Sequence, residues 1–414
     1  MRIERLTLQH FRGIRSLELP LGRTTVLVGA NGAGKSAVLE ALAILAAQLV
    51  WRIRGQPNKA RRIAGTDVQN GADFAQVTAQ ATLEGRPVQW SVGSTKAGQS
   101  KSGSKSDLED LNQAVRALWP EEQNCSHAAY PLAVFYDVKR AVVEIPLRVR
   151  EVPETGPLAA YQNALDSGGA DFKRFFSWFR NQEDWENENR VDDPSYRDPL
   201  LEPVRQAIEH FTGLSNLRVQ RRPKRMTLQK GEEKLSVQQL SDGEQCYLAL
   251  VGDLARRLAL LNQDGEDPLQ GSGLAIIDEV ELHLHPGWQR EIIPKLEATF
   301  PNCQFVLSTH SPQVLSHVRS EDVWILSQQE GEIVAEQPDL TYGVDSSLLL
   351  QSVLGVAERN PEVKRALDGL FSQIDEGNLD EARAQLSHLR ATYGSLPQLA
   401  RADAILTRKE RVGR

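Results

Sequence analysis

The stretch that most constrains this chain is Gly29-Ala30-Asn31-Gly32-Ala33-Gly34-Lys35-Ser36, which fits the P-loop pattern G-x-x-x-x-G-K-[ST]. Residues 24–28, which precede it, are typical of a short buried strand, and residues 37–49, which follow it, are good helix formers. Because all four fixed positions and both flanks agree with the pattern, a chance glycine-rich turn is a poor explanation. The sequence therefore predicts a strand, a loop that wraps phosphate groups and a helix, in that order.

Each residue type in this loop has a physical reason. Glycines let backbone N–H groups turn inward around phosphate, and the following helix directs its positive dipole end at the same anion. Lys35 is expected to reach the terminal phosphates of a nucleoside triphosphate, and Ser36 is expected to hold Mg²⁺. The predicted nucleotide-binding residues of the loop are Asn31, Gly32, Ala33, Gly34, Lys35 and Ser36.

Composition limits the class of protein. The 414 residues allow two or three domains, and 40% hydrophobic with 25% charged residues is typical of a soluble globular protein. No apolar run approaches the roughly 20 residues that span a membrane, and no signal peptide is expected. The three cysteines form no C-x-x-C pair, which argues against a disulfide framework or a zinc site. We therefore expect a reduced, cytoplasmic setting and no membrane contact.

The net charge of −7 gives no support for bulk nucleic-acid binding, although local patches remain open. Three stretches are basic, at residues 52–62, 218–225 and 401–414. Each is explained by a solvated surface at least as well as by a contact with DNA or RNA.

Strands alternating with helices predict an α/β fold with a parallel, doubly wound sheet. The expected strands are an antiparallel pair within 1–20, a pair within 77–92, 130–137, 230–238, 273–277, 304–308, 323–326 and 333–336. The expected helices are 107–118, two within 158–189, 200–211, 239–262, 288–300, and a hairpin of 382–389 and 399–406. A mobile loop is expected at 93–106. These elements suggest four segments: 1–92 with the P-loop, a helical lid insertion at 93–229, the second part of the core at 230–340, and a helical region at 341–414.

Residues 274–279 form an apolar strand that ends in two carboxylates. A strand buried on both faces delivers its last residues to the carboxyl edge of the sheet, where ligands bind. Asp278 is expected to bind Mg²⁺ through water, and Glu279 to activate the attacking water as general base. Two solvated acids at a strand end are the alternative, which the P-loop makes the weaker one.

Residues 240–245 lie at the start of the long helix predicted within 239–262, and Ser241 and Glu244 have the S-x-x-E spacing of a capping box. A cap alone explains both side chains. The same helix start, with a serine hydroxyl and Gly243 for close approach, would also suit a γ-phosphate. The pattern by itself leaves both interpretations open.

Two histidine-containing stretches follow. His310 comes directly after strand 304–308, so it should lie at the carboxyl edge and contact the γ-phosphate, and Ser311-Pro312 should begin a helix. Farther upstream, Glu281, His283 and His285 alternate with apolar residues and could share one face as metal ligands. A loop used at a subunit contact is the better explanation, since Asp278 and Glu279 already account for the local chemistry.

The order and spacing of these motifs resemble the ATP-binding cassette head of the SMC/RecF/OLD class, and residues 6–13 resemble its N-terminal signature. The resemblance implies a P-loop ATPase head with a mixed sheet, helices on both faces, a helical lid and C-terminal helical hairpins. It also implies that Arg12 lies beside ATP, and that Ser241, Gly243 and Glu244 act in trans in an ATP-closed homodimer or an oligomer of dimers. The glutamine of the Q-loop in that class has three unsupported candidates here, Gln69, Gln76 and Gln80.

Residues 131–140, 161–189 and 341–346 resemble the ATPase subunit of Septu and retron-linked anti-phage systems, which works with an HNH nuclease. This resemblance implies an enzyme that hydrolyses ATP to ADP and phosphate and thereby controls a nuclease partner. The alternative is a RecF-like DNA-repair ATPase that binds DNA directly. An OLD-type nuclease would need a further α/β domain for which the last 100 or so residues are too few, and a transporter subunit is disfavoured by the opening around Arg12.

Overall fold

A computed structural model describes residues 1–96, 105–120, 129–138, 156–166, 172–355 and 360–412. These residues form two compact units, Met1–Leu349 and Leu350–Arg414. Each unit has its own buried apolar side chains. The division of the chain into four segments stays a prediction.

The centre of the first unit is a six-stranded sheet in the order β13-β12-β3-β11-β10-β6. Its strands are β3 (Thr24–Val28), β6 (Leu132–Tyr136), β10 (Gly273–Ile277), β11 (Cys303–Ser308), β12 (Val323–Gln329) and β13 (Glu332–Glu336). Neighbours pair in parallel except β13, which is antiparallel to β12. Every residue of β3, β6, β10 and β11 is buried, as expected for strands covered on both faces. The predicted mixed α/β sheet is confirmed.

A second, antiparallel sheet has the order β2-β1-β4-β5. Its strands are β1 (Arg2–Phe11), β2 (Ile14–Pro20), β4 (Phe74–Leu83) and β5 (Arg86–Thr95). Apolar residues alternate with polar ones along β1 and β4, which is typical of strands with one covered face. Both predicted strand pairs are confirmed. The predicted loop 93–106 is wrong at its start, because β5 continues to Thr95, and most of the rest of that stretch lies outside the described residues.

Helix α1 (Lys35–Ile53) follows the P-loop and contacts strands of both sheets. Contrary to the sequence expectation, it is long and apolar enough to cross a membrane by length and composition. Most of it is buried within the protein, however, and its first two residues belong to the P-loop. Burial against two sheets explains its apolar character.

The described part of residues 96–240 contains both helices and strands in addition to the core strand β6. Its helices are α2 (Glu109–Leu118), α3 (Phe172–Asn189) and α4 (Leu201–Thr212). Of the two helices predicted within 158–189, the second is α3, whereas the first is only a short 3-10 turn, Pro157–Tyr161; residues 167–171 lie outside the described part. A three-stranded sheet of β7 (Ser215–Gln220), β8 (Arg225–Lys230) and β9 (Glu233–Ser236) follows, of which the sequence predicted only the last strand.

The basic stretch 218–225 was missed as sheet because its residues are mostly charged. In the structure Arg221 pairs with two acids of α3, Glu183 and Asp184, and the buried carboxylate of Glu183 also accepts from the backbone N–H of Val219 at 3.1 Å. Part of this positive charge is therefore used to attach β7 to α3.

The remaining helices of the first unit are α5 (Asp242–Leu261), α6 (Pro286–Thr299) and α7 (Pro312–Leu315), and α8 (Ser346–Ser352) spans the boundary. The second unit contains α9 (Pro361–Glu376), α10 (Leu379–Tyr393) and α11 (Pro397–Val412). Its buried core is Leu367, Leu370, Ile374, Ala382, Leu386, Leu389, Leu399, Ala402 and Leu406. The predicted hairpin is confirmed as α10 and α11, and α9 packs against both.

Candidate ATP site

The carboxyl ends of four parallel strands meet at one edge of the central sheet. Ile277 pairs with Leu307 and with Tyr136, and Ser308 pairs with Leu27, so the strands end almost level. The P-loop, the acidic pair after β10 and the segment that carries His310 therefore converge. This is the edge at which α/β sheets bind ligands.

The P-loop has the conformation that its glycines require. Gly29, Gly32 and Gly34 all have positive φ, and a Cβ on Gly29 would lie 2.2 Å from the carbonyl oxygen of Leu326. The buried Lys35 ammonium donates to the carbonyl oxygens of Gly29 at 2.8 Å and Ala30 at 3.0 Å. The loop side chain that is expected to meet phosphate is thus held inside the loop.

Burial lowers the pKa of the Lys35 ammonium, and nearby carboxylates oppose that shift. Those carboxylates belong to Asp278, Glu279 and Glu281. One buried cation therefore stands among three acids, and the local charge suits a divalent cation beside the triphosphate.

Asp278 is fixed from three directions. One carboxylate oxygen accepts from the Ser36 hydroxyl at 3.1 Å and the other from the Ser308 hydroxyl, while the Asp278 backbone N–H donates to the Tyr136 carbonyl at 2.8 Å. The Ser36 hydroxyl and the Asp278 carboxylate are adjacent oxygen donors, the chemistry that Mg²⁺ prefers. The residues present fit a magnesium ion.

Ser308 is a site residue that the sequence analysis missed. Its buried hydroxyl donates to Asp278 and accepts from the backbone N–H of Glu279 at 2.7 Å. Glu279 has a φ of 48°, in the left-handed region that a side-chain-bearing residue adopts at a cost of about 1–3 kcal/mol. The signal available in the sequence was a small hydroxyl residue at the end of a strand, directly after the apolar residues 305–307.

His310 follows β11 as predicted, and its backbone N–H donates to a carboxylate oxygen of Glu281 at 2.6 Å. Ser311 caps α7, as its spacing to Pro312 predicted, by accepting from the backbone N–H groups of Gln313 and Val314. The segment after β11 is therefore tied to the loop after β10.

Ser241 forms the predicted capping box at the start of α5. Its hydroxyl accepts from the Glu244 backbone N–H, and the Glu244 carboxylate accepts from the Ser241 backbone N–H at 2.9 Å. Lys230 donates to the same carboxylate at 2.6 Å. Burial alone would raise the pKa of Glu244, but the bonds from Lys230 and Ser241 outweigh it and lower that pKa.

Gly243 is required by a contact within the chain. A Cβ at this position would lie 2.6 Å from the carbonyl oxygen of His283. The start of α5 therefore touches the loop that follows Glu279, and only glycine allows that approach.

The sequence is similar to those of several known proteins. A family described as "AAA domain, putative AbiEii toxin, Type IV TA system" matches residues 139–316, and an "AAA ATPase domain" matches residues 1–80. The "Retron Ec83 probable ATPase" of Escherichia coli is 30% identical over 427 residues, which cover 88% of this chain and 78% of that protein. The chain belongs to the retron ATPase family. It is an ATPase with a P-loop head.

More distant similarities were also found. "Septu protein PtuA" of Bacillus mycoides is 26% identical over 152 residues, 36% of this chain and 21% of that protein. The solved structure "Crystal structure of the SmcHead bound to the C-winged helix domain of ScpA" covers 82% of this chain and 98% of that one, with a TM-score of 0.49 and 15% identity. The sequence of this ATPase is therefore similar to those of retron and Septu proteins.

Arg12 lies near the P-loop helix of this ATPase. Its guanidinium Nε donates to Asp67 at 3.0 Å and an Nη lies 4.0 Å from Glu40, which stands four residues after Ser36 on α1. Arg61 also pairs with Glu40. Two cationic side chains are therefore collected about one turn beyond Ser36.

The three candidate Q-loop glutamines have other contacts. Gln69 approaches the His10 ring at 3.2 Å, whereas Gln76 and Gln80 lie on β4 and bond to neighbouring strand residues. These side-chain hydrogen bonds do not reach the P-loop, and the Q-loop residue stays unassigned.

The possible metal face of the 281–285 loop is used differently. His285 caps α6 by accepting from the Gly287 backbone N–H at 3.2 Å, and Glu281 binds the His310 backbone. Within the part of the chain that the structure describes, no group of three or more His, Cys, Asp or Glu is arranged to hold a metal by itself.

Proposed function

We propose that ATP with Mg²⁺ closes a homodimer of this ATPase, in which Ser241 of each copy completes the ATP site of the other. The ATP-bound dimer would control an associated HNH-type nuclease in a cytoplasmic anti-phage defence complex. Lys35 binds the terminal phosphates, and Arg12 lies on the nucleotide side. Glu279 removes the proton from the attacking water, and His310 contacts the γ-phosphate.

The observation that carries this proposal is that each half of the site is open to solvent. Ala30, Asn31 and Gly32 are exposed on the rim of the P-loop, and Ser241 is exposed at the start of α5. The Ser241 hydroxyl is hydrogen-bonded to its own cap, so its described bonds leave it at the surface rather than over the P-loop of the same chain. A second copy can cover both halves at once through a two-fold interface.

The roles of Mg²⁺ follow from the donors already described. When bound, the ion would neutralise phosphate charge and hold the triphosphate in line for attack by water. Ser36 and Asp278 would hold it, and Ser308 keeps the Asp278 carboxylate oriented. Glu279 follows Asp278 at the same edge, which suits it to orient the attacking water rather than to bind the ion.

The nuclease partner is supported by membership in the retron ATPase family and by the similarity to Septu protein PtuA. Cys246 and Cys303 are buried and form no disulfide, which suits a reduced compartment. An ATPase of this kind can act as a switch, because ATP binding and hydrolysis change which surfaces two copies present to a third protein.

The test uses two inactive variants. Lys35→Ala loses phosphate binding, and Ser241→Arg blocks the half-site offered to the partner. Mixed one to one, the two chains leave one intact site in each mixed dimer, roughly a quarter of the wild-type number. We expect ATP turnover near that level from the mixture and background turnover from either variant alone.

Mixed dimers must be verified independently, by co-purification of two affinity tags in the presence of ATP. If tagged mixed dimers form and turnover does not recover, action of Ser241 in trans is wrong. DNA binding by the purified ATPase alone, weakening steeply with salt, would instead favour the RecF-like alternative.

A further inference from the structure

Glu281 is a half-buried acid for which the proposed function has no use. It lies two residues after Glu279, in the loop between β10 and α6. One carboxylate oxygen accepts from the His310 backbone N–H at 2.6 Å, which is short for an N–H···O bond and typical of a charged acceptor. The bond joins the loop after β10 to the segment after β11.

The second carboxylate oxygen of Glu281 is also buried, and no donor among the described residues contacts it. A buried acceptor of this kind calls for an explanation, since its desolvation is costly. Its charge acts on the ammonium of Lys35, together with those of Asp278 and Glu279. The Glu281 carboxylate therefore lies close enough to Lys35 to act on its charge at the phosphate end of the site.

We propose that Glu281 is a positioning residue of the ATP site, which fixes the backbone at His310 through one oxygen and takes a hydrogen bond from the water around bound nucleotide through the other. This inference rests on the proposed function, in which His310 contacts the γ-phosphate. Glu281 itself touches neither the phosphate nor the reacting water in this scheme. It keeps His310 in place, and a displacement of about 1 Å at such a position can reduce turnover about 100-fold.

The hydrogen bonds of the loop explain why this role requires a glutamate. The loop is held at one end by the Val280 backbone N–H, which donates to the Ser308 carbonyl at 3.0 Å, and near the other by Leu284, which donates to the Glu281 carbonyl at 2.9 Å. Between these points a side chain with two acceptor oxygens can span from β11 to the site interior. An alanine has no acceptor, and a glutamine keeps one acceptor and replaces the other with a donor.

The first measurement does not depend on hydrolysis. Hydrogen exchange of the peptide that contains His310 is compared between the wild type and Glu281→Ala, with Glu291→Ala as a matched control on the exposed side of α6. We expect exchange of the His310 amide to be at least about tenfold faster in Glu281→Ala, the effect of losing a bond to a charged acceptor. Unchanged exchange would overturn the proposal.

The second measurement follows steady-state turnover. We expect Glu281→Ala to lower kcat about 10- to 100-fold with KM for ATP within about threefold, because His310 is misplaced while the P-loop is intact. Glu281→Gln, which keeps the acceptor for His310, is expected to retain faster turnover than Glu281→Ala and guards against loss of the fold. Equal turnover of both variants and the wild type would contradict the positioning role.

The double variant separates this inference from the proposed function. If Glu281 acts through His310, then Glu281→Ala should add little to the loss caused by His310→Ala. Full additivity would refute the inference while leaving the role of His310 intact. If His310→Ala alone turns over ATP normally, the proposed function is wrong at that residue, and faster amide exchange in Glu281→Ala would still stand.

Discussion

The two halves of the proposed ATP site are built in different ways. In the P-loop half, Ser36 bonds to Asp278 across 242 residues of sequence, and Ser308 bonds to Asp278 across 30. In the other half, at the start of α5, the Ser241 and Glu244 side chains bond across three residues, and Lys230 adds one contact across 14. The first half exists only when the sheet has assembled, whereas the second is largely a property of one helix start.

This difference determines how each half responds to the loss of a side chain. In the P-loop half, Lys35, Asp278 and Ser308 are buried. Because the Ser308 hydroxyl donates to Asp278, removing either of these two side chains leaves the other without that partner. The exposed Ser241 can lose its cap with a modest penalty, because water replaces the lost bond. Substitutions in the P-loop half are expected to reduce ATP hydrolysis first. Substitutions at the start of α5 are expected to weaken assembly with a second copy first.

The largest predicted effect is that of Lys35→Ala. The buried ammonium is the main positive side chain among three carboxylates, so its removal leaves an excess of negative charge where triphosphate must bind. We expect no detectable ATP binding by isothermal calorimetry, with a normal circular dichroism spectrum as the control. Binding at wild-type affinity would show that the P-loop half is not the phosphate site.

Glu279→Gln should come next. The amide keeps the shape of the side chain but cannot take a proton, and loss of a general base typically slows turnover about 10²–10⁴-fold. We expect ATP binding by this variant to match that of the wild type, and phosphate release to fall within that range. Normal hydrolysis would mean that another group activates the water.

The comparison is sharpened most by changing one serine in each half. Ser308→Ala leaves the Glu279 backbone N–H without its acceptor and should lower the free energy of unfolding by about 1–3 kcal/mol, with slower turnover. Ser241→Ala removes a helix cap and should cost about 1 kcal/mol without changing ATP affinity of the chain that carries it. Urea denaturation and ATP titration of both variants provide the measurements; equal losses of ATP affinity would erase the distinction between the halves.

The same contrast explains what the sequence could predict. The Ser241 capping box, the P-loop and the strand that delivers Asp278 are local patterns, and all three are present in the structure. The partners of Asp278 at Ser308, and of His310 at Glu281, depend on which strands are neighbours and in which register. Periodicity along one strand contains no such information, so these contacts were not foreseen.

Charge also concealed strands from the sequence analysis. Most basic residues of 218–225 are exposed, as expected for a solvated surface, but Arg221 forms an ion pair with the buried Glu183 of α3. A buried acid on one element can make a basic neighbour structural, which no single-segment pattern reveals. The sequence analysis expected Gly243 to allow close approach of a phosphate and did not foresee its close approach to the His283 backbone.

The contact between Gly243 and the His283 carbonyl has a consequence for how ATP hydrolysis would be coordinated between two copies. It joins the helix start that each chain would provide to its neighbour to the loop that follows Glu279, the proposed general base of the same chain. ATP binding in one pocket would then affect the opposite pocket through this close approach, so a dimer's rate should rise sigmoidally with ATP concentration, with a Hill coefficient between one and two. Loosening this contact with Gly243→Ala should make the curve hyperbolic.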